Sequence, residues 1–335
     1  FNQPITIPNN AYNVSYMFAN CEQFNQPITI YDNEIRYFSG LFQNCTNLNS
    51  KFSIPVAKYN EYAGSVPMDY LFYGCTNYNI LFNIPSCVYN ISYMFTGTEY
   101  YNYPVVLPMA LSGSNCIEGL FSYTGAYNHP FIVPTHIANL SLYGLFMGSK
   151  SYNCPITIPD NVTNMRYMFA DSNYNCIINI PNRNNIDIRN LFSGSNYNQP
   201  VVVPSNIHMN NYSGIVSGCT KFNQPITFEP EYAWNYVGTF RNCHAFNQKV
   251  KFPEILSSAY WSYRVFSNVF IDCYAYNQLT NIPDNTDGVY NVFVNCTNFN
   301  TTVTIPNTVR FISNMFVNCE QFNQPIEVPY SVVNV

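Results

Sequence analysis

The sequence repeats itself every 22 to 30 residues, and this periodicity constrains the fold more than any other feature. Each repeat begins with an aromatic residue or Leu followed by Asn. A single unit of this length cannot bury its apolar side, so neighbouring units must stack as coils. We therefore predict one array over residues 1–335, with about thirteen repeats, a partial last repeat and longer insertions near 57–66 and 254–264. The fourteen anchor residues are Phe1, Phe24, Leu48, Tyr78, Tyr101, Tyr127, Tyr152, Tyr174, Tyr197, Phe222, Phe246, Tyr276, Phe299 and Phe322.

Each repeat contains a short β-branched run after the anchor, such as Val201–Val203, which is closed by Pro204. Runs of this kind favour strands of about three to five residues. A Phe three residues before Cys, Ser or Thr forms a second apolar row, which is interrupted once by Val216. We therefore predict a solenoid that is mostly β, with one parallel sheet on one side and turns or short helical pieces on the other.

Asn follows the anchor in all fourteen copies, from Asn2 to Asn323. An Asn at one fixed depth can hydrogen-bond turn backbone in its own coil and in the next. The repetition therefore predicts a structural ladder rather than a catalytic residue.

The repeat resembles known families. The pattern Ile-Thr-Ile-Pro, then Val-x-x-Met-x-x-Met-Phe-x-x-Cys, is similar to the BspA-type leucine-rich repeats of bacterial and protist surface proteins. The anchor Phe-Asn-Gln-Pro followed by Ile-Pro also resembles FNIP repeats. The resemblance covers the whole chain and implies a solenoid that supplies binding surface, with a partner that differs among members.

Composition excludes several classes of function. Only 31 residues are Asp, Glu, Lys or Arg, and the net charge is −5, so a basic surface for nucleic acid is not expected. Much of the polarity comes from 51 Asn residues. The four His residues are not spaced as metal ligands, and catalytic motifs are lacking, so we expect neither an enzyme nor a metal or cofactor site. A membrane span is not expected either, because the longest apolar runs fall short of 18 residues.

Eight of the twelve Cys residues occupy one slot, three residues before the anchor, where other repeats have Ser or Thr. This exchange favours buried free thiols, because free Cys packs as a small apolar residue. Cys154 and Cys176 share a different slot in adjacent repeats and are the best candidates for a disulfide.

Two surfaces are candidate binding sites. Strand alternation points one residue of each β-branched run away from the core. This candidate sheet face, most apolar in its middle, includes Val106, Ile132, Thr157, Asn179, Val202 and Thr227. The two insertions supply candidate binding loops, in which exposed aromatic side chains suit protein or glycan recognition. These loop residues are Tyr59, Tyr62, Tyr260, Trp261 and Tyr263.

These features lead to a hypothesis of a non-enzymatic, extracellular or virion-exposed protein that mediates adhesion or binds a protein or glycan on another surface. The first alternative is a self-assembling fibre or sheath subunit that binds copies of itself. The second is an intracellular scaffold. Because both ends fall inside the repeat, we also expect a processed chain or an interior segment of a longer protein.

Overall fold

The computed structural model of the chain describes residues 1–8, 10–30, 35–54, 66–184, 186–207, 213–230, 232–233, 236–255 and 264–334. It divides into two compact units. Unit 1 comprises Phe1–Asn164 with Ser172–Tyr174, and unit 2 comprises Met165–Asp171 with Asn175–Val335. Each unit is a β-solenoid built from parallel strands, which confirms the predicted fold class. The single continuous array stays a prediction.

The strands of unit 1 form three parallel pairs, β1 with β2, β3 with β4, and β5 with β6. Their bounds are β1 Ile28–Thr29, β2 Phe52–Ser53, β3 Val66–Pro67, β4 Val88–Asn90, β5 Leu140–Ser141 and β6 Val162–Asn164.

The strands of unit 2 form three parallel pairs, β7 with β8, β9 with β10, and β12 with β14, together with a three-stranded sheet in the order β11–β13–β15. Their bounds are β7 Val201–Val203, β8 Ile226–Phe228, β9 Tyr232–Ala233, β10 Glu254–Ile255, β11 Val265–Ser267, β12 Thr280–Asn281, β13 Gly288–Tyr290, β14 Val303–Thr304 and β15 Phe311–Ser313.

The strands are shorter than the sequence predicted, with two or three residues each. Proline limits some of them, because it has no N–H to donate and therefore ends a ladder. In unit 2, β7 lies between Pro200 and Pro204. A second line of strands, such as β6 and β13, precedes the Phe row.

Turns rather than helices form the other side of the described coils. In the first coil the N–H of Met17 donates to the carbonyl of Val14 (3.1 Å), and the N–H of Cys21 donates to that of Phe18 (3.0 Å). Each turn contains a residue with left-handed backbone, Tyr16 (φ 56°) and Asn20 (φ 62°). The two turns therefore repeat at a spacing of four residues.

This pair of left-handed residues recurs along both units and explains why Gly, Asn and Asp are frequent in the two slots, where Tyr also occurs. The pairs found among the described residues are Tyr16 and Asn20, Gly40 and Asn44, Tyr70 and Gly74, Tyr93 and Gly97, Gly119 and Tyr123, Gly144 and Gly148, Tyr167 and Asp171, Asn190 and Gly194, Gly214 and Gly218, Gly238 and Asn242, Asn268 and Asp272, Asn291 and Asn295, and Asn314 and Asn318.

The core is a stack of aromatic rings. Within a coil the Phe-row ring stacks on the following anchor ring, with centroids 3.9 Å apart for Phe121 and Tyr127 in unit 1. Between coils the Phe-row rings lie 5.7 Å apart, as for Phe121 and Phe146. The same arrangement occurs in unit 2, where Phe293 lies 4.2 Å from Phe299. The two apolar rows predicted from the sequence are therefore one interleaved column.

The predicted Asn ladder is confirmed. The side-chain oxygen of a ladder Asn accepts the backbone N–H of the Asn one coil later, as between Asn2 and Asn25 (2.9 Å) in unit 1 and between Asn223 and Asn247 (2.9 Å) in unit 2. At least eleven such steps occur among the described residues. The ladder satisfies backbone donors that the short strands leave open.

Candidate functional site

The predicted outward positions of unit 1 are exposed, although Val106, Ile132 and Thr157 lie outside the strands of the structure. The name outward strand face refers to this row of positions. Val106 and Ile132 are 83% and 85% exposed, whereas Phe131 and Val133 on either side of Ile132 are buried. Thr157 is exposed as well. No Asp, Glu, Lys or Arg occurs within 101–109 or 127–135, so the face is neutral here. Large exposed apolar side chains of this kind are characteristic of contact surfaces.

Unit 2 has the same alternation. Asn179, Val202 and Thr227 are exposed, and Val201 and Val203 beside Val202 are buried. Val202 and Thr227 are directly paired in the β7–β8 register. Val202 and Thr227 occupy the outward side of β7 and β8, whereas Asn179 lies outside the strands. The role of these positions in binding stays a prediction.

Both units contain further exposed apolar side chains that the sequence analysis did not predict. Leu81 and Met109 of unit 1 and Ile177 of unit 2 are largely exposed. Leu81 and Ile177 fill the slot that usually holds Pro, two residues before the outward position. In an extended chain, residues two apart point to the same side. An apolar residue in place of Pro in that slot could therefore have predicted an exposed apolar side chain.

The Asn ladder borders the face and adds polar groups to it. The side-chain oxygens of Asn102 and Asn128 accept backbone N–H groups from the next coil, at 3.2 and 3.0 Å. Both residues are exposed. Within the described part of the chain, their amide nitrogens donate no hydrogen bond, so they present donors next to Val106 and Ile132.

The predicted thiol row is present in both units. The Sγ of Cys45 donates to the carbonyl of Phe18 (3.0 Å), and the Sγ of Cys243 donates to that of Val216 (3.0 Å). Ser149 makes the equivalent bond to Phe121 (2.6 Å), which explains the exchange of Cys for Ser. Burial raises the pKa of Cys45 to about 12. These thiols are therefore structural donors rather than nucleophiles.

The disulfide predicted between Cys154 and Cys176 is absent from the structure, where both residues carry thiols. Cys154 has a different contact, because its Sγ lies 3.3 Å from the side-chain oxygen of Asn128. Gln26 donates to Asn2 in the equivalent way (3.1 Å). Cys154 therefore substitutes for Gln in the ladder.

The candidate binding loops cannot be placed. Tyr59, Tyr62, Tyr260, Trp261 and Tyr263 lie outside the described residues.

The described residues contain no group of three or more His, Cys, Asp or Glu side chains arranged to hold a metal ion. They also contain no helix with the length and apolarity needed to span a membrane.

Comparison with known families assigns the chain. A family model described as "Mycoplasma protein of unknown function, DUF285" matches residues 1–83, 140–282 and 256–335. The chain belongs to the DUF285 family. The family description states no activity, so it adds no function to this DUF285 protein. Comparison with curated protein sequences gives no match.

Solved structures show the fold of this DUF285 chain. A leucine-rich repeat protein from Bacteroides ovatus is similar with a TM-score of 0.61 and 17% identity, over 95% of this chain and 84% of that one. A leucine rich cell surface protein from Faecalibacterium prausnitzii aligns with a TM-score of 0.43 and 15% identity, over 89% of this chain and 87% of that one. The first likeness confirms the leucine-rich-repeat fold implied by the sequence resemblance.

Proposed function

We propose that the protein is a non-enzymatic, surface-exposed or extracellular binding protein that contacts a neutral protein or glycan through the outward strand face of unit 1. The observation that carries this proposal is the exposure of Val106 and Ile132 on a part of the face without charged residues. Burying such side chains against a partner is favourable, at about 25 cal/mol per Å² of apolar surface.

The polar groups of the face support a ligand with both apolar and hydroxyl or amide surface. The amide nitrogens of Asn102 and Asn128 are donors on a backbone that the ladder holds in place. Fixed donors beside apolar side chains lose little entropy on binding. Sugars and polypeptide backbone both offer acceptors of this kind.

Binding of the purified chain to an array of neutral glycans and extracellular proteins tests the proposal. The double variant Val106→Asn with Ile132→Asn should weaken binding about tenfold, because it replaces the central apolar contacts. The control variant Thr6→Asn with Thr29→Asn alters exposed positions of the same row and should change affinity about twofold or less.

Two results would contradict the proposal. One is a wild-type chain that binds nothing on the array, and the other is equal loss of binding in the two double variants. Concentration-dependent assembly of the chain that is lost in the Val106→Asn, Ile132→Asn variant would instead favour the self-assembling fibre or sheath subunit, and electron microscopy would show its filaments.

A further inference from the structure

The turn side of unit 1 carries a second surface, built from tyrosine rings and one carboxylate. The rings of Tyr70 and Tyr93 stack with centroids 5.0 Å apart, and Tyr73 lies 5.7 Å from Tyr70 at an angle of 51°. All three side chains are half-buried, so part of each ring stays exposed to solvent. Tyr70 and Tyr93 both have left-handed backbone and lie in the turns.

Glu118 lies directly beside these rings. The backbone N–H of Tyr93 donates to the carbonyl of Glu118 (2.8 Å), and the Tyr93 ring covers Gly119, the next residue. The hydroxyl of Ser141 donates to one carboxylate oxygen of Glu118 and accepts the backbone N–H of Tyr143 (3.3 Å). Ser141 therefore links the Glu118 carboxylate to the backbone of Tyr143.

The electrostatic environment of this group is negative. Burial, and then the charge of Glu118, raise the pKa of Tyr93 to about 12. Burial and the charge of Asp69 raise the pKa of Tyr70, on which Glu118 also acts. The groups that act on these two phenols are all acids or other phenols. The hydroxyl of Ser39 donates to Asp69 (2.7 Å), which holds this second carboxylate at the edge.

We propose that the tyrosine–glutamate patch, formed by Tyr70, Tyr73, Tyr93, Tyr143 and Glu118, binds a Lys or Arg side chain of a partner protein. Ring faces attract a cation through their quadrupole, and a nearby carboxylate adds direct charge attraction. The half-buried position of the rings lowers the solvation of a docked cation, which strengthens its attraction to the rings and to the carboxylate.

This surface is distinct from the outward strand face, because it uses turn residues and selects for charge. The strand face offers neutral side chains around Val106 and Ile132. If the outward strand face binds no neutral ligand, the proposal for the tyrosine–glutamate patch is unaffected. If the patch binds no cation, the proposal for the outward strand face is likewise unaffected.

A titration of the purified chain with a hexalysine peptide at low salt tests the proposal, with hexaglutamate as the control peptide. The wild-type chain should bind hexalysine and show no binding of hexaglutamate. Glu118→Gln should weaken hexalysine binding about fivefold, because it removes the charge and keeps the acceptor for Ser141. Tyr73→Leu, which leaves that hydrogen bond untouched, should weaken it about threefold.

Glu99→Gln is the matched control, since Glu99 is an exposed acid of the same unit and does not act on the two phenols. It should change hexalysine affinity less than Glu118→Gln does. Circular dichroism checks that each variant folds. The proposal is overturned if the wild-type chain fails to bind hexalysine at millimolar concentration, or if Glu118→Gln and Glu99→Gln weaken binding equally while Tyr73→Leu has no effect.

Discussion

Gly119 offers the sharpest test of the turn geometry. Its φ is +57°, and a Cβ built on it would lie 2.3 Å from two ring carbons of Tyr93. Gly119→Ala therefore meets two costs. Left-handed backbone costs an L-residue about 1–2 kcal/mol, and forcing an extra carbon against packed atoms costs about 1–3 kcal/mol. We expect the free energy of unfolding to fall by about 2–5 kcal/mol, measured by urea denaturation.

Gly113 provides the control within the same unit. Its φ is +84°, and nothing lies within 4 Å of a Cβ placed on it. Gly113→Ala should therefore show only the backbone cost of about 1–2 kcal/mol. Adding Tyr93→Gly to Gly119→Ala should recover the steric part, which a double-mutant cycle isolates. Equal losses for Gly119→Ala and Gly113→Ala, with no recovery in the double variant, would refute the assigned ring contact.

Three further outcomes follow from single contacts. Iodoacetamide should label the half-buried Cys154 in the native chain. It should label the fully buried Cys243 only after unfolding, because burial raises the pKa of that thiol well above its usual value. Mass spectrometry measures the labelling of both residues. The hydrogen bonds from Arg264 lower the pKa of Asp287, so their stabilising effect is present above about pH 4 and is lost as the pH falls through that lowered pKa. In urea titrations, Asp287→Asn should cost about 1 kcal/mol at pH 7 and less at pH 2. Tyr276→Phe should cost about 1 kcal/mol in the same assay, because the buried Tyr276 hydroxyl is 2.7 Å from a threonine hydroxyl of its own coil. Equal labelling of Cys154 and Cys243 in the native chain would contradict the first prediction. A stability loss in Asp287→Asn that does not depend on pH would contradict the second, and a Tyr276→Phe variant as stable as the wild type would contradict the third.

The sequence predicted the features that repeat in every coil. The Asn ladder, the buried Phe row and the exposure of Val106 and Ile132 all follow from fixed slots with simple chemistry. The exchange of Cys for Ser likewise indicated a small polar donor, which Cys45 and Ser149 confirm.

Features that depend on three-dimensional stacking were missed. The left-handed slots contain Tyr as well as Gly and Asn, and Tyr16 or Tyr93 has no intrinsic preference for that backbone. The tyrosine–glutamate patch was also missed, because Tyr70, Tyr93 and Glu118 are separated by unequal steps and meet only through coil stacking. The second line of strands escaped notice because its residues vary in type from coil to coil.

Site-specific photo-crosslinking tests most directly whether the outward strand face of unit 1 contacts a partner. Benzoylphenylalanine would replace Val106 or Ile132 on the face and, as a control, the exposed Tyr123 on the turn side. The ligand would be one identified on the glycan and protein array. We predict crosslinks from positions 106 and 132 and none from position 123. Crosslinks from position 123 alone would contradict the claim.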